Sequence, residues 1–466
     1  MPYKLAELFN FENFTIRNIL TMESKESSSM NIVQQRSLNG LQYEMLPSTS
    51  VAVNRTAERQ FFQKSIYGPS QEALIDMNTG AKFINCKRSY LTFSVQLSRT
   101  ANDGGGNAFP PTGGFGKGSV ANLIRRVVVT TRSGVELCRT EDFNVLTAKL
   151  ARWETSREYL EQFGQLMGYT TTLTSTSDSF NEAGDEGASV GATSKSNIRQ
   201  FIIPLDMLSP VFKGDGKSLL PPQAAAGLRV QITWESVARG MLHVAAANTG
   251  APDSYIIDNI SIMANTTTMV DSWQKALNEE SASQGLTYTY PTWYTTTSTL
   301  PSNSDRINIE QRKAVARALC AFAVYTVGAD DVLVDNMASA SYSWSRVEWR
   351  LGSLYPTQQP VTTKAEAYFV AQNAFDGGII DSKGGINAVS YSAFRTNQSI
   401  AAVSLERSDI SINGVLNISG LPTNNSRVLS IDATLDGMAQ AQGRVYVFMK
   451  HISLAKFFLD NASLSY

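Results

Sequence analysis

The stretch Tyr90-Leu91-Thr92-Phe93-Ser94-Val95-Gln96-Leu97 alternates apolar and polar residues in period two. That is the pattern of a strand with one face in a core and the other turned outward. The signature recurs along most of the chain, and no long helical periodicity competes with it. Leu123 to Thr131 is a β-branched run carrying Arg125 and Arg126, a strand is expected to stop at Pro204, and Leu228 to Trp234 and Asp253 to Met263 continue the series. In the second half, strands are expected over Ala316–Val327, Tyr342–Leu351, Ser399–Leu405, Gly414–Ile418, Val428–Leu435 and Gly443–Ile452. Helical spacing is confined to a segment running from Thr140, read as its N-cap, to about Leu166, a short pattern from Met269 to Asn278, and Thr362 to Phe375 after the Pro356–Pro360 turn. Two long segments read as surface loops: Asp103–Gly118, with its seven glycines, and Thr170–Ser196.

The order of these signals appears twice. Arg126-Val127 and Arg346-Val347 lie 220 residues apart in corresponding strands, and Leu205 and Leu405 lie 200 apart. A repeat in pattern rather than in residues predicts two similar all-β domains. The expected boundaries are an N-terminal arm over 1–56, a first sandwich over 57–280 and a second over 281–466, with Glu279–Gly285 as the linker.

Composition narrows the function classes. The 466 residues carry 40 Lys+Arg against 41 Asp+Glu, a net charge of −1, so bulk affinity for polyphosphate has no charge excess to draw on. Residues 1–50 are near neutral, with apolar and acidic residues around Leu5–Phe14, unlike a basic nucleic-acid tail. Charged residues make up 17% of the chain, and Ser, Thr, Asn and Gly take up the difference, which suits β structure with many turns. No stretch reaches the roughly 18 apolar residues of a membrane-spanning helix, and Glu7 and Glu12 interrupt the place where a signal peptide needs its apolar core. A cytosol-like compartment is expected, and the eight Asn-x-Ser/Thr sequons, against roughly five by chance in so Ser/Thr-rich a chain, carry no weight because glycosylation presupposes secretion.

The residues that carry chemistry elsewhere are sparse. Cys86, Cys138 and Cys320 are odd in number and far apart, which predicts reduced, half-buried thiols rather than disulfides or a zinc site. His243 and His451 are the only histidines, and His451 follows the strand pattern Val445–Met449, where a structural role is expected. Gly116-Lys117 and Gly216-Lys217-Ser218 evoke a phosphate loop, but Pro111 and Val211 stand where its leading glycine belongs. Glu279-Glu280 and Asp330-Asp331 sit in polar stretches suited to solvated turns or helix ends, not to a glycosidase pair. Six tryptophans could line a sugar-binding face, though core anchoring is the more economical reading. No catalytic, cofactor-binding or metal-binding residue is expected, and no enzymatic activity.

The segment Phe201-Ile-Ile-Pro-Leu, a short turn, then Leu219-Leu-Pro-Pro-Gln-Ala-Ala-Ala-Gly-Leu-Arg-Val-Gln-Ile-Thr233 resembles a motif of major capsid proteins of the double jelly-roll lineage of tailless DNA viruses. Leu123–Glu136, Ala402–Ser408, Ser419–Leu429 and Gly443–Phe448 add to the likeness, whose details are most similar to polinton-like virus and virophage capsid proteins. The chain departs from the pattern in its short length and in Leu220-Pro221-Pro222, where the lineage has a second Leu-Pro-Leu. The resemblance implies two consecutive eight-stranded jelly rolls with a few short helices covering sheet edges. It also implies a homotrimer of pseudo-sixfold outline, and an icosahedral shell built from such capsomers. Penton and minor capsid proteins would be partners, and the arm would tie capsomers together or reach inward to a minor capsid protein or an internal membrane. Location in the virion, after synthesis in a host cytoplasm and assembly there or in the nucleus, and no sequence-specific nucleic-acid contact complete that expectation. The competing readings are a jelly-roll carbohydrate- or receptor-binding spike or penton protein, and a β-sandwich hydrolase dependent on His243 or His451.

Overall fold

The computed structural model describes residues 52–465 apart from 99–113, 116–117, 170–197, 215–218, 242–252, 302–303, 328–334, 340–343, 358, 376–387, 407–419, 425, 436–442 and 459–461. The first ten strands are β1 (Ala52–Phe61), β2 (Glu72–Met77), β3 (Phe83–Asn85), β4 (Tyr90–Ser98), β5 (Ile124–Thr130), β6 (Glu136–Thr140), β7 (Ile198–Pro204), β8 (Leu219–Leu220), β9 (Leu228–Trp234) and β10 (Ser254–Met269). They pair as a nested antiparallel ribbon: β1 with β10, β2 with β9, β3 with β8, β4 with β7 and β5 with β6. A ribbon with one apolar face cannot bury it while flat, so it rolls up into two facing layers. One layer runs β1-β10-β4-β7, with β3 and β8 beside β4 along β10, and the other runs β2-β9-β5-β6. The inward residues of both, such as Leu91, Phe93, Phe201 and Ile262 against Ile75, Val127, Val230 and Ile232, form one core.

The second set repeats the roll. Its strands are β11 (Leu286–Leu300), β12 (Arg306–Gln311), β13 (Val315–Val327), β14 (Trp344–Leu351), β15 (Ala401–Ser404), β16 (Leu421–Thr423), β17 (Leu429–Leu435), β18 (Gly443–Phe457) and β19 (Ala462–Ser465). β11 pairs with β18, β12 with β17, and β13 with both β15 and β16. The layers are β11-β18-β13-β15 and β12-β17-β14. A fourth strand beside β14 is reduced to one bridge between Val347 and Val361. That bridge stands just before the helix Lys364–Ala374, as β6 stands before the helix Phe143–Trp153.

The 220-residue repeat holds in register as well as in pattern. Arg126 lies opposite Thr233 just after an irregularity between Ile124 and Arg126, and Arg346 lies opposite Thr434 just after one between Trp344 and Arg346. A bulge bends a strand and re-aims its side chains, so its recurrence at one place marks the two strands as counterparts. Leu205 and Leu405 also correspond: each follows the strand paired with β4 or β13 and donates its backbone N–H back across that pair, to Ser89 O (3.0 Å) and Leu319 O (2.7 Å).

Several boundaries differ from expectation. β1 starts at Ala52, inside the segment assigned to the arm, because its Asn54–Phe61 stretch pairs along β10; its half-buried positions, Thr56, Glu58 and Gln60, are all polar, and the rest is exposed. Periodicity alone cannot find such a strand. Thr140 is the last, buried residue of β6 and not a cap; Asp142, in the left-handed conformation (φ 48°), precedes the helix. The single helix expected to Leu166 is three pieces, Phe143–Trp153, Arg157–Gln162 and a 3-10 turn Gly164–Met167. Ser156 divides the first two, its hydroxyl accepting from the Tyr159 N–H (3.2 Å) as a new N-cap. The helix after β10 extends over Asp271–Ser283, and Gly285, at φ +73°, turns the chain into β11. Thr170–Ser196 and the expected strand at Gly414–Ile418 lie outside the described residues; of the expected surface loop Asp103–Gly118 only Gly114, Phe115 and Gly118 are described, and they are buried, Phe115 in the first core.

Phe322 anchors the second core, with ring centroids 5.0 Å from Phe448, 5.3 Å from Phe375 and 5.4 Å from Trp293. Phe322→Ala is expected to destabilise by about 3–5 kcal/mol, read as a lower midpoint in denaturant unfolding followed by tryptophan fluorescence.

Candidate functional site: the junction between the sandwiches

Every residue of the helix Phe143–Trp153 except Leu150 is buried, the polar Asn144, Thr147, Lys149 and Arg152 included. Phe143 and Ala151 belong to the first core, whereas Val145, Leu146, Ala148 and Trp153 belong to the second. Trp153 stacks on Phe375 (5.6 Å, 28°) and meets Phe394 edge-on (6.1 Å, 86°). The expectation that this helix covers a sheet edge is therefore corrected: it fills the seam between two sandwiches, and only its counterpart Lys364–Ala374 packs on an edge strand, β15.

Each end of the helix is pinned by charges that span the seam. At its start, Asp142 accepts from Arg239 Nη2 (3.1 Å) and from the Thr297 hydroxyl of β11 (2.9 Å). Arg239 also donates to the Tyr446 hydroxyl of β18 (2.7 Å), lies over that ring at 5.6 Å, and is 3.6 Å from Glu235. At its end, Glu154 receives Lys213 of the first sandwich (2.9 Å) and Lys450 of β18 (3.1 Å). Burial opposes ionisation of Glu154, but Lys450 and Lys213 outweigh it and bring the carboxyl down to about 2. Further ties cross the seam at Tyr288 Oη to Val211 O (2.7 Å) and Tyr290 Oη to Leu137 O (2.6 Å).

The long pair β11 and β18 bridges both bodies. Tyr288, Tyr290, Ala455 and Phe457 lie in the first core, while Trp293 and Val445 to Met449 lie in the second. Every residue from Ala318 to Thr326 and from Val445 to Met449 is buried, without alternation, because β13 and β18 are covered on both faces. The apolar run in the sequence at Ala316–Val327 has this origin.

Lys149 is fully buried within the seam, its Nζ 3.4 Å from Gln398 Oε1. Desolvation pushes its ammonium down to about 7, with Asp335 opposing and Arg152 adding to the shift. Beside the helix is a cleft of about 360 Å³ lined by Leu146, Leu150, Glu154, Met207, Pro291 and Trp293, among others.

The residues singled out from the sequence are not brought together. His451 is buried in β18, and burial pushes its imidazole down to about 4, so it is neutral at physiological pH and closed to a substrate. The three thiols are free and fully buried rather than half-buried; burial raises Cys86 to about 12, and Cys138 Sγ sits 3.2 Å from Thr292 Oγ1. Glu279 and Glu280 are exposed on the helix Asp271–Ser283. His243, the two lysine-bearing glycine turns and Asp330-Asp331 lie outside the described residues. Five of the six tryptophans are buried and only Trp273 is open, so they anchor cores rather than line a sugar face. Asp142, Lys149, Glu154 and Arg239 escaped the sequence reading, because charged residues in an amphipathic segment look like a solvated face.

Two tests follow from the buried charges. Glu154 ionises more readily folded than unfolded, so its contribution is complete above the unfolded value near 4.5 and is lost as pH falls towards about 2. Glu154→Gln should lower the wild-type melting temperature at pH 7 and flatten its fall with acid over that window. Lys149 is the opposite case: its folded value near 7 lies below the ordinary 10.5, so charging it costs stability, and stability should rise from about pH 7 to about 10.5. Lys149→Met should abolish that rise in melting temperature and match or exceed the wild type at pH 7.

No family model matches the sequence, and no curated protein matches it. Solved structures do. A chain of the PBCV-1 virus capsid is similar at a TM-score of 0.59 and 11% identity, over 91% of this chain and 99% of that one. A chain of the Sputnik virophage matches at 0.57 and 11% identity, over 91% and 90%. The mavirus major capsid protein matches at 0.53 and 11% identity, over 91% and 92%. Identity this low speaks for the fold alone, and together with the two rolled ribbons and their shared seam it gives this chain the double jelly-roll fold.

Proposed function

We propose that this chain is a major capsid protein, a non-enzymatic subunit that forms trimeric capsomers of pseudo-sixfold outline and assembles into an icosahedral virus shell. The observation that carries this reading is the junction: two jelly rolls in one chain are locked side by side through a buried helix and ion pairs at both its ends. Similarity to capsid chains over nine-tenths of the sequence, under the same architecture, supports it. A shell subunit needs a body that transmits contact forces without hinging, and a seam with continuous core packing supplies one. Near-zero net charge suits a surface repeatedly apposed to copies of itself, where a large excess of one sign would repel.

On this reading the division into an arm, a first jelly roll and a second jelly roll is functional. The partners are neighbouring capsomers, penton and minor capsid proteins, and the arm reaches a neighbouring capsomer or an inner layer. The protein resides in the virion after synthesis in the host cytoplasm, and genome contact falls to other components. Light scattering on the purified chain should give a mass near three times 50.9 kDa, and negative-stain images of assembled material should show closed shells. A stable monomer that never forms particles at high concentration would overturn the reading.

A further inference from the structure

The duplication exposes an asymmetry. In the first sandwich, the helix Phe143–Trp153 is covered on its outer side by the second sandwich, on the face of the layer β11-β18-β13 that carries Tyr446 and Trp293. In the second sandwich, the counterpart Lys364–Ala374 turns Ala367 and Ala371 into the second core. Both helices run eleven residues and align end to end at an offset of 221, so Val145 and Ala148 correspond to Glu366 and Phe369. The first two are buried in the seam, yet Glu366 is exposed and Phe369 is 50% exposed, with Tyr391 beside the same helix at 40%. Among the described residues no sandwich covers the Phe369 side of this helix, although Tyr368 and Phe375 meet Trp153 on another side.

The opposite half of such a seam is also open. The layer β1-β10-β4-β7 is the counterpart of β11-β18-β13-β15, whose outer face receives the seam helix. Its own outer face carries Phe61 at 71% exposure beside a groove of about 390 Å³ lined by Arg59, Lys64, Thr92, Ser94 and Gln200. Glu366, three residues before Phe369 and so on the same side of its helix, is opposite in sign to Arg59 and Lys64.

We infer that these two faces are the halves of one intermolecular seam: the Phe369 side of the helix Lys364–Ala374 seats on the Phe61 face of the first sandwich of a second copy of this chain. The contact joins two different surfaces, so it is heterologous and propagates head to tail. A ring of three copies joined by this contact would place six sandwiches around one axis, as the proposed capsomer requires. The assignment rests on the capsomer reading and specifies which faces build it.

The test uses the full chain carrying Phe61→Cys and Phe369→Cys together, treated with a short bismaleimide; the native thiols are buried and give little background. Closed covalent trimers are expected from the double variant, and no trimers from either single variant. Phe369→Glu is expected to convert trimers to monomers in sedimentation at least tenfold above the wild-type dissociation concentration, with its melting profile as a monomer cooperative and its circular dichroism unchanged. A wild-type trimer that neither crosslinks through this pair nor responds to Phe369→Glu overturns the assigned faces and leaves the capsomer reading standing. A wild-type chain that stays monomeric overturns both.

Discussion

The enclosure of the helix Phe143–Trp153 between two β-sandwiches is the constraint on which the rest depends. Ten of its eleven residues are buried, and its apolar side chains are divided between the two cores, so neither sandwich alone covers it. Its burial obliges the second sandwich to form against the first, commits β13 and β18 to being covered on both faces, and draws Lys149 and Arg152 out of water with it. The charges at its two ends then act in a protected setting. Glu154 between Lys213 and Lys450, and Asp142 with Arg239, resist separation of the bodies more than surface pairs would, because removing one partner strands the other in a poorly hydrated site.

Each sandwich reaches its shape by the same route. A nested antiparallel ribbon rolls until its apolar face is closed, and the repeat is kept in strand register, in the bulge before Arg126 and Arg346, and in the helix that follows the β6 position. The two copies diverge where their surroundings diverge. The first spends its helix on the internal seam and keeps Lys and Arg within it; the second keeps three alanines inward and leaves an aromatic outward. One fold unit used twice in a chain thus generates one satisfied seam and one open seam, which is the geometric starting point for a ring built from copies.

Much of this was legible in the residues. Period-two alternation at Tyr90–Leu97 and Leu228–Trp234 placed strands correctly because one face of each meets a core and the other does not. The matched Arg-Val strands predicted the duplication. What failed did so for local physical reasons: β1 turns the polar Thr56, Glu58 and Gln60 inward and so carries no apolar alternation, and Thr140 satisfied the chemistry of a cap while the sheet claimed it as a strand end. The helix boundary at Ser156 was hidden because apolar spacing runs on across it.

The sequence by itself determined the class of fold, the twofold repeat, and the near absence of histidine, paired thiols and excess charge from which a catalytic or nucleic-acid site would be built. Those follow from composition and short-range period, which each segment carries alone. Only the tertiary structure decided that Asp142, Lys149, Glu154 and Arg239 meet at a seam, and that Phe61 and Phe369 remain outside one. Such contacts join residues one to three hundred positions apart, and their energy depends on which faces of two sandwiches are covered, a property no single segment contains.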